Sequence, residues 1–320
     1  MYKIALLIAL LFNPLLHADD QAMSYGWHIP KTPFYIGGYF SLKHEKELWQ
    51  FDDIAFLFYA NYEKFHILSE IESSDVVLSQ ERKEEDHTDL SAIHIERMRV
   101  DYDISDEGTI RIGKFNSIIG YWNQIPINIL EDSSTEPNIM EHLFPNLTTG
   151  LAYLHDFDEG DIRVALTLQP TQNLDRNYNN MLTNKHYALN IKAYKDSFSW
   201  SLSGGYFREL DHSHAWYAGA GIQKETNDWT LQTELFSKSQ TYGKDIPYDG
   251  YMQATWHMLE NHDIVLRAER YKDQDLQVEE NIFLSGYTYC PRPWVAIKGE
   301  YIYHSMLPKS RSVISFSLLF

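Results

Sequence analysis

From Tyr35 to Phe320 the chain runs in about sixteen stretches of roughly nine to twelve residues in which apolar and polar side chains alternate. Alternation with period two is the mark of an extended strand with one face apolar and the other polar. The series begins with Tyr35–Lys43, Asp53–Tyr62, Phe65–Ser74, Ile93–Asp103 and Thr109–Ile118, and ends with Val295–His304 and Ser312–Phe320. No stretch keeps helical periodicity beyond two turns. The connections carry the stronger constraint, because long and short links alternate. Long ones span 43–53, 75–92, 119–147, 170–185 and 238–250; tight ones include Glu63-Lys64, Lys195-Asp-Ser197 and Thr226-Asn-Asp228. A transmembrane β-barrel has this rhythm, with short turns on one side and long loops on the other. A soluble sandwich has no reason to keep it.

The two faces of each stretch differ as a barrel wall requires. In Phe198–Tyr206 the outward set is Phe198, Trp200, Leu202 and Tyr206, and the inward set is Ser199, Ser201 and Ser203. Thr230, Gln232 and Glu234 point inward from the stretch beginning at Trp229, and His186, Asn190 and Lys192 alternate with Tyr187, Leu189 and Ile191. Such an inner face suits water better than a packed core. About sixteen strands also enclose more space than side chains fill, which leaves an aqueous channel. The expected fold is all-β, a transmembrane antiparallel barrel.

The ends point the same way. Met1-Tyr-Lys3 is followed by the apolar run Ile4–Phe12 and by Ala18 before Asp19-Asp20, the layout of a secretory signal peptide over residues 1–18. The barrel domain is then expected over 19–320. At the other end, Ile314, Phe316, Leu318 and Phe320 share one face of a final strand, with Leu319 an apolar intruder on the opposite face. This strand resembles the C-terminal signature of bacterial outer-membrane β-barrel proteins. The resemblance implies that the assembly machinery reads the terminal aromatic, with outer-membrane lipid and lipopolysaccharide around the wall. Tyr 22, Trp 8 and Phe 16 supply the aromatics that interfacial girdles need. A formal net charge of −18 disfavours nucleic acid as a partner. The single cysteine, Cys290, excludes a disulfide framework.

The third long link, 119–147, is too apolar for a solvated loop, with Trp122, Ile125, Ile127, Ile129, Leu130, Ile139, Met140, Leu143 and Phe144. Ser134 or Thr135 is expected to cap a short helix that has Pro137 in its first turn and ends before Pro145. Arg111-Ile-Gly-Lys-Phe115, followed by Gly120-Tyr-Trp-Asn123, resembles the strand before the third loop in porins of the phosphate-selective porin superfamily. The resemblance implies sixteen strands, a third loop folded into the lumen, a homotrimer, and passive diffusion of small hydrophilic solutes or ions. One feature departs from that family. Between Lys114 and Arg163 there is no Lys or Arg, but there are Glu131, Asp132, Glu136 and Glu141, so phosphate selectivity is not carried over. Arg97, Arg99 and Arg111 have inward parity on the two strands before the loop. The expectation is a constriction in which Glu131, Asp132 and Glu136 face these arginines, with cations favoured.

Other groups weigh less. His212-Ser-His214 has a spacing that could bind a metal but reads as a solvated loop, as does the run Glu81–Asp86 with His87. No catalytic motif, cofactor motif or metal motif stands out. The functions in competition are a porin, a plugged structural or adhesive barrel, and an outer-membrane barrel hydrolase.

Overall fold

The alternating stretches do form strands, and each pairs with its neighbours in sequence. The computed structural model describes residues 26–80, 93–125, 127, 131–157, 160–175, 177–306 and 310–320. The expected leader, 1–18, and the charged run 81–87 lie outside the described residues. A two-residue strand β1 (Trp27–His28) pairs with β2 (Phe34–Glu45). The first half continues with β3 (Leu48–Tyr62), β4 (Phe65–Gln80), β5 (His94–Asp103), β6 (Gly108–Asn116), β7 (Leu147–Phe157), β8 (Ile162–Gln169) and β9 (Thr183–Lys195). The second half is β10 (Phe198–Glu209), β11 (His214–Glu225), β12 (Trp229–Gln240), β13 (Ile246–Leu259), β14 (His262–Asp273), β15 (Val278–Arg292), β16 (Val295–His304) and β17 (Arg311–Leu319).

Strands β2 to β17 form a closed antiparallel barrel of sixteen. Closure is made by β17 on β2, with Phe316 opposite Leu42 and Leu318 opposite Phe40. At the end of this seam Phe320 and Gly38 exchange two backbone hydrogen bonds, each 2.8 Å. A side chain at position 38 would meet the Ala55 carbonyl at 2.4 Å and the Phe320 ring at 2.8 Å, so only glycine lets the final aromatic lie against the wall.

Burial follows the expected parity. Ser199, Ser201 and Ser203 are buried, whereas Phe198, Trp200 and Leu202 are exposed on the outer face. Aromatic pairs mark the outer surface beside the short turns, for example Trp229 stacked on Trp256 with centroids 5.7 Å apart. Leu319 is buried against Tyr39, Leu57 and Tyr59, which accounts for an apolar residue on the inward face.

The alternation of link lengths fails at the first link. Instead of a long connection over 43–53, β2 and β3 meet in a tight turn at Lys46 and Glu47, whose φ values are 49° and 69°. Both central residues with positive φ match the twist of the paired strands. The charged run that suggests a loop is absorbed by pairing: Lys43 meets Asp52 at 3.3 Å and Arg311 meets Glu45 at 3.2 Å.

Candidate functional site

Between β6 and β7, the described residues of 117–146 are fastened by side chains of the polar inner face. Two turns of chain after β6, Gly120 adopts φ +61°, and a Cβ there would lie 2.2 Å from Glu234 Oε1. The glycine therefore lets the Glu234 carboxylate reach the backbone, where it accepts from Tyr121 N–H at 2.7 Å and Trp122 N–H at 3.2 Å. Tyr251 donates to the same carboxylate at 2.7 Å. Tyr121 lies under Lys192, whose ammonium is 4.3 Å from the ring centroid, and burial pushes its phenol up to about 12.

Further along, Ile127 meets the closing seam and residues 131–136 are held by β13 to β16. Ile127 packs with Tyr39, Leu57 and Leu319. Lys298 donates to the carbonyl of Glu131 at 2.7 Å, and Thr288 donates to the carbonyl of Asp132 at 2.7 Å. The Asp132 carboxylate accepts from Thr255 and Gln253. Glu300 accepts from the backbone of Ser134 and from Thr135 Oγ1. Arg267 donates to Ser133 Oγ at 3.0 Å and to the Glu136 carbonyl at 3.2 Å, while its Nε bonds Glu269 at 2.7 Å.

The expected helix starts later than Ser134 or Thr135. The Glu300 carboxylate takes those two residues in a bend outside any helix, and the helix is a single turn, Ile139–His142, with Asn138 at its N-cap. Asn138 donates to the carboxylates of Glu269 and Asp249, both at 2.7 Å. The turn packs its apolar face on Phe207, Tyr217, Phe236 and Tyr251 of β10 to β13, together with Trp122, Leu143 and Phe144. These inward aromatics were missed in the sequence. Their signal is a doubled apolar step, Tyr206-Phe207, Trp216-Tyr217 and Leu235-Phe236, where strict alternation would put a polar residue inside.

The predicted residues are only partly brought together. Arg97 pairs with Glu70, its neighbour across β4 and β5. Arg99 approaches Asp101 at 3.3 Å, and Arg111 takes the same carboxylate in a two-pronged bond at 2.8 and 2.9 Å. Asp132 is held by β13, and the backbones of Glu131 and Glu136 are held by Lys298 and Arg267. The arginines thus find carboxylates on their own or the adjacent strand before any on the loop.

Glu131 and Glu136 meet a different wall. They line a cavity of about 360 Å³ together with Asp53, Glu72 and Glu96 from β3, β4 and β5, and with Tyr39 and Tyr178. Its lining includes no Lys or Arg among the described residues. Glu136 is exposed to this space, and Glu96 Oε2 has no hydrogen-bond partner among the described residues. Burial, and then repulsion from Glu136, pushes the Glu131 carboxyl well above the ordinary carboxylate range. A Coulomb field from several carboxylates in a confined, partly dry space attracts cations and repels anions.

Two other sequence candidates end differently. His212 and His214 turn to Arg208 and Tyr206, and no cluster of His, Cys, Asp and Glu that could hold a metal occurs among the described residues. Near the short turns, Thr230 Oγ1 lies 3.0 Å from His257 Nε2, whose Nδ1 lies 2.7 Å from Asp263. That series has the order of a nucleophile, a base and an acid. The backbone of its strand, however, is paired on both sides, with β11 and β13, and so aims no N–H pair at an oxyanion.

No protein-family model matches the chain, and no curated protein sequence matches it. Solved structures do. A Salmonella typhi OmpF, solved as a complex with daunomycin, has a TM-score of 0.69 at 11% identity, over 90% of this chain and 98% of its own. An anion-selective porin from Comamonas acidovorans has a TM-score of 0.63 at 10% identity, over 91% and 100%. The trimer form of OmpT, an outer membrane protein of Vibrio cholerae, has a TM-score of 0.63 at 10% identity, over 90% and 99%. At these identities the likeness is one of fold: the chain has the sixteen-stranded barrel of the porins.

Proposed function

We propose that this protein is an outer-membrane porin, a water-filled channel for passive diffusion of small hydrophilic solutes or ions, with cations favoured. The observation that carries the reading is the carboxylate-lined cavity between residues 131–136 and the wall formed by β3, β4 and β5. A pore narrowed beside such a group takes its selectivity from the field of the carboxylates that are ionised. The third link acts as the constriction, because side chains from nearly half the wall hold it across the inner face. Affiliation with the phosphate-selective porin superfamily rests on Arg111–Phe115 and Gly120–Asn123, and phosphate selectivity itself is not part of the proposal. Export by a signal peptide over 1–18, assembly into a homotrimer, contact with lipopolysaccharide, and recognition of Phe320 by the assembly machinery complete the reading.

The test is single-channel recording of the refolded barrel in a planar bilayer, with the reversal potential measured under a salt gradient. Steady conductance with a cation-favouring reversal supports the proposal. An anion-favouring reversal keeps the pore and overturns the role given to the carboxylates. A correctly folded barrel that passes no current overturns the pore and turns attention to the plugged, adhesive or hydrolytic alternatives.

A further inference from the structure

The link between β8 and β9, residues 170–182, is bound to the third link more tightly than two neighbouring surface loops need to be. The Asn180 side chain accepts from Asn146 N–H at 2.9 Å. Its amide nitrogen donates to the carbonyls of Phe144 and Met140 at 2.9 and 3.2 Å, with the Glu141 carbonyl at 3.4 Å. A one-turn helix leaves its last carbonyls without partners inside the helix, and here one asparagine from another loop takes them. Asn146 itself donates to Met140 O at 2.8 Å, so the two amides close the end of the turn together.

The other end of the same link reaches the acidic wall. Asp175 accepts from Ile95 N–H at 2.9 Å. Tyr178 Oη lies 2.7 Å from Ser74 Oγ and 3.0 Å from Glu72 Oε1, and the ring is 5.7 Å from the Lys114 ammonium. Burial, followed by the nearby Glu72 charge, pushes the Tyr178 phenol far above its usual range, so the hydroxyl stays a donor. A span of a few residues therefore joins the helical turn of the third link to a carboxylate lining the cavity.

We propose that the fourth long link is the second jaw of the constriction: Asn180 fixes the position of the third link, and Tyr178 helps fix the position of the Glu72 carboxylate. This assignment rests on the pore reading given above. Asn180 and Tyr178 are positioning residues, acting through the helical turn and through the carboxylate.

The experiment compares the full-length refolded barrel with Asn180→Ala and Tyr178→Phe in planar bilayers, with Asn227→Ala in a short turn as control. Asn180→Ala is expected to raise open-channel noise and change mean conductance by about twofold, because the segment that narrows the pore loses its clamp. Tyr178→Phe removes one of the donors that, with Tyr39 and Ser74, hold the Glu72 carboxylate in place, and the cation-to-anion permeability ratio is expected to fall about twofold as that carboxylate shifts. The two variants read out separately, so failure of Asn180→Ala to fold leaves the Tyr178 arm standing. A conducting parent whose Tyr178→Phe variant, and whose Asn180→Ala variant where folded, matches it in conductance, noise and reversal potential overturns the assignment alone. A folded parent that does not conduct overturns the pore reading and this assignment with it.

Discussion

The inner wall from β12 to β17 and the inner wall from β3 to β5 both carry many charges, and they use them in opposite ways. On the first, charges fasten the third link. Glu234, Arg267, Lys298 and Glu300 are all buried, and each bonds backbone atoms of residues 121–136. On the second, Asp53, Glu72 and Glu96 face the cavity across from Glu131 and Glu136. A charge that holds a loop is fixed in place by its several bonds. A charge that borders open space acts on whatever passes. Position along the barrel circumference, more than residue type, decides which role a carboxylate takes.

The strongest way to break this contrast is to cut a fastening. Glu234→Ala leaves the N–H groups of Tyr121 and Trp122 and the hydroxyl of Tyr251 without their acceptor. Each unsatisfied buried group costs about 1–3 kcal/mol, so a lowered thermal midpoint in detergent micelles and a noisier channel are expected. Gly120→Ala should act on the same joint, because its Cβ would collide with the Glu234 carboxylate.

A selectivity change without a stability change would sharpen the contrast from the other wall. Replacing Glu136 by Gln removes a carboxylate from the cavity lining while leaving the Glu234 joint intact. The cation-to-anion ratio from reversal potentials is expected to fall about threefold, and the thermal midpoint to move little.

Acidification comes next in size. The Glu131 carboxyl is held above the ordinary range, so its folded-state pKa exceeds its unfolded one. As pH rises through the interval between those two values, the unfolded chain ionises while the folded one keeps the buried proton, which lowers stability; the folded group charges, and adds to cation preference, only as pH passes its folded-state value. Titrating the reversal potential downward from neutral pH should show cation preference declining before ordinary carboxylates protonate.

The smallest effect is expected from Arg111→Gln. Its guanidinium is mostly buried and shares Asp101 with Arg99, so its loss leaves that carboxylate one basic partner. A reversal potential close to the parent's would confirm that the arginine strip is a local pairing; a large shift would restore the opposed-charge constriction expected from sequence.

What the sequence made legible was whatever depends on period two. Parity separated Ser199, Ser201 and Ser203 from Phe198, Trp200 and Leu202, and it placed Arg97, Arg99 and Arg111 on the inner side. Pairing partners were beyond it, because a bond such as that from Glu234 to Tyr121 joins residues 113 positions apart with no local mark. The first turn was misread for a related reason. Lys46 and Glu47 adopt positive φ without the Gly or Asn that announces such turns. The acidic cavity was half legible: Glu131 and Glu136 stand out in a loop without bases, but nothing local says that Glu72 and Glu96 lie across from them.

The seam between β2 and β17 has a consequence for how the chain is handled before it is complete. Ser41 and Ser317, which meet there at 3.0 Å, are 276 positions apart. Contacts of such long range form late and slowly. A sheet of these strands left open at the seam would present two unsatisfied edges, each a template for another strand. The paired backbone bonds of Gly38 and Phe320 therefore do more than shut a cylinder. They remove the two surfaces through which one copy of the chain could add to the next.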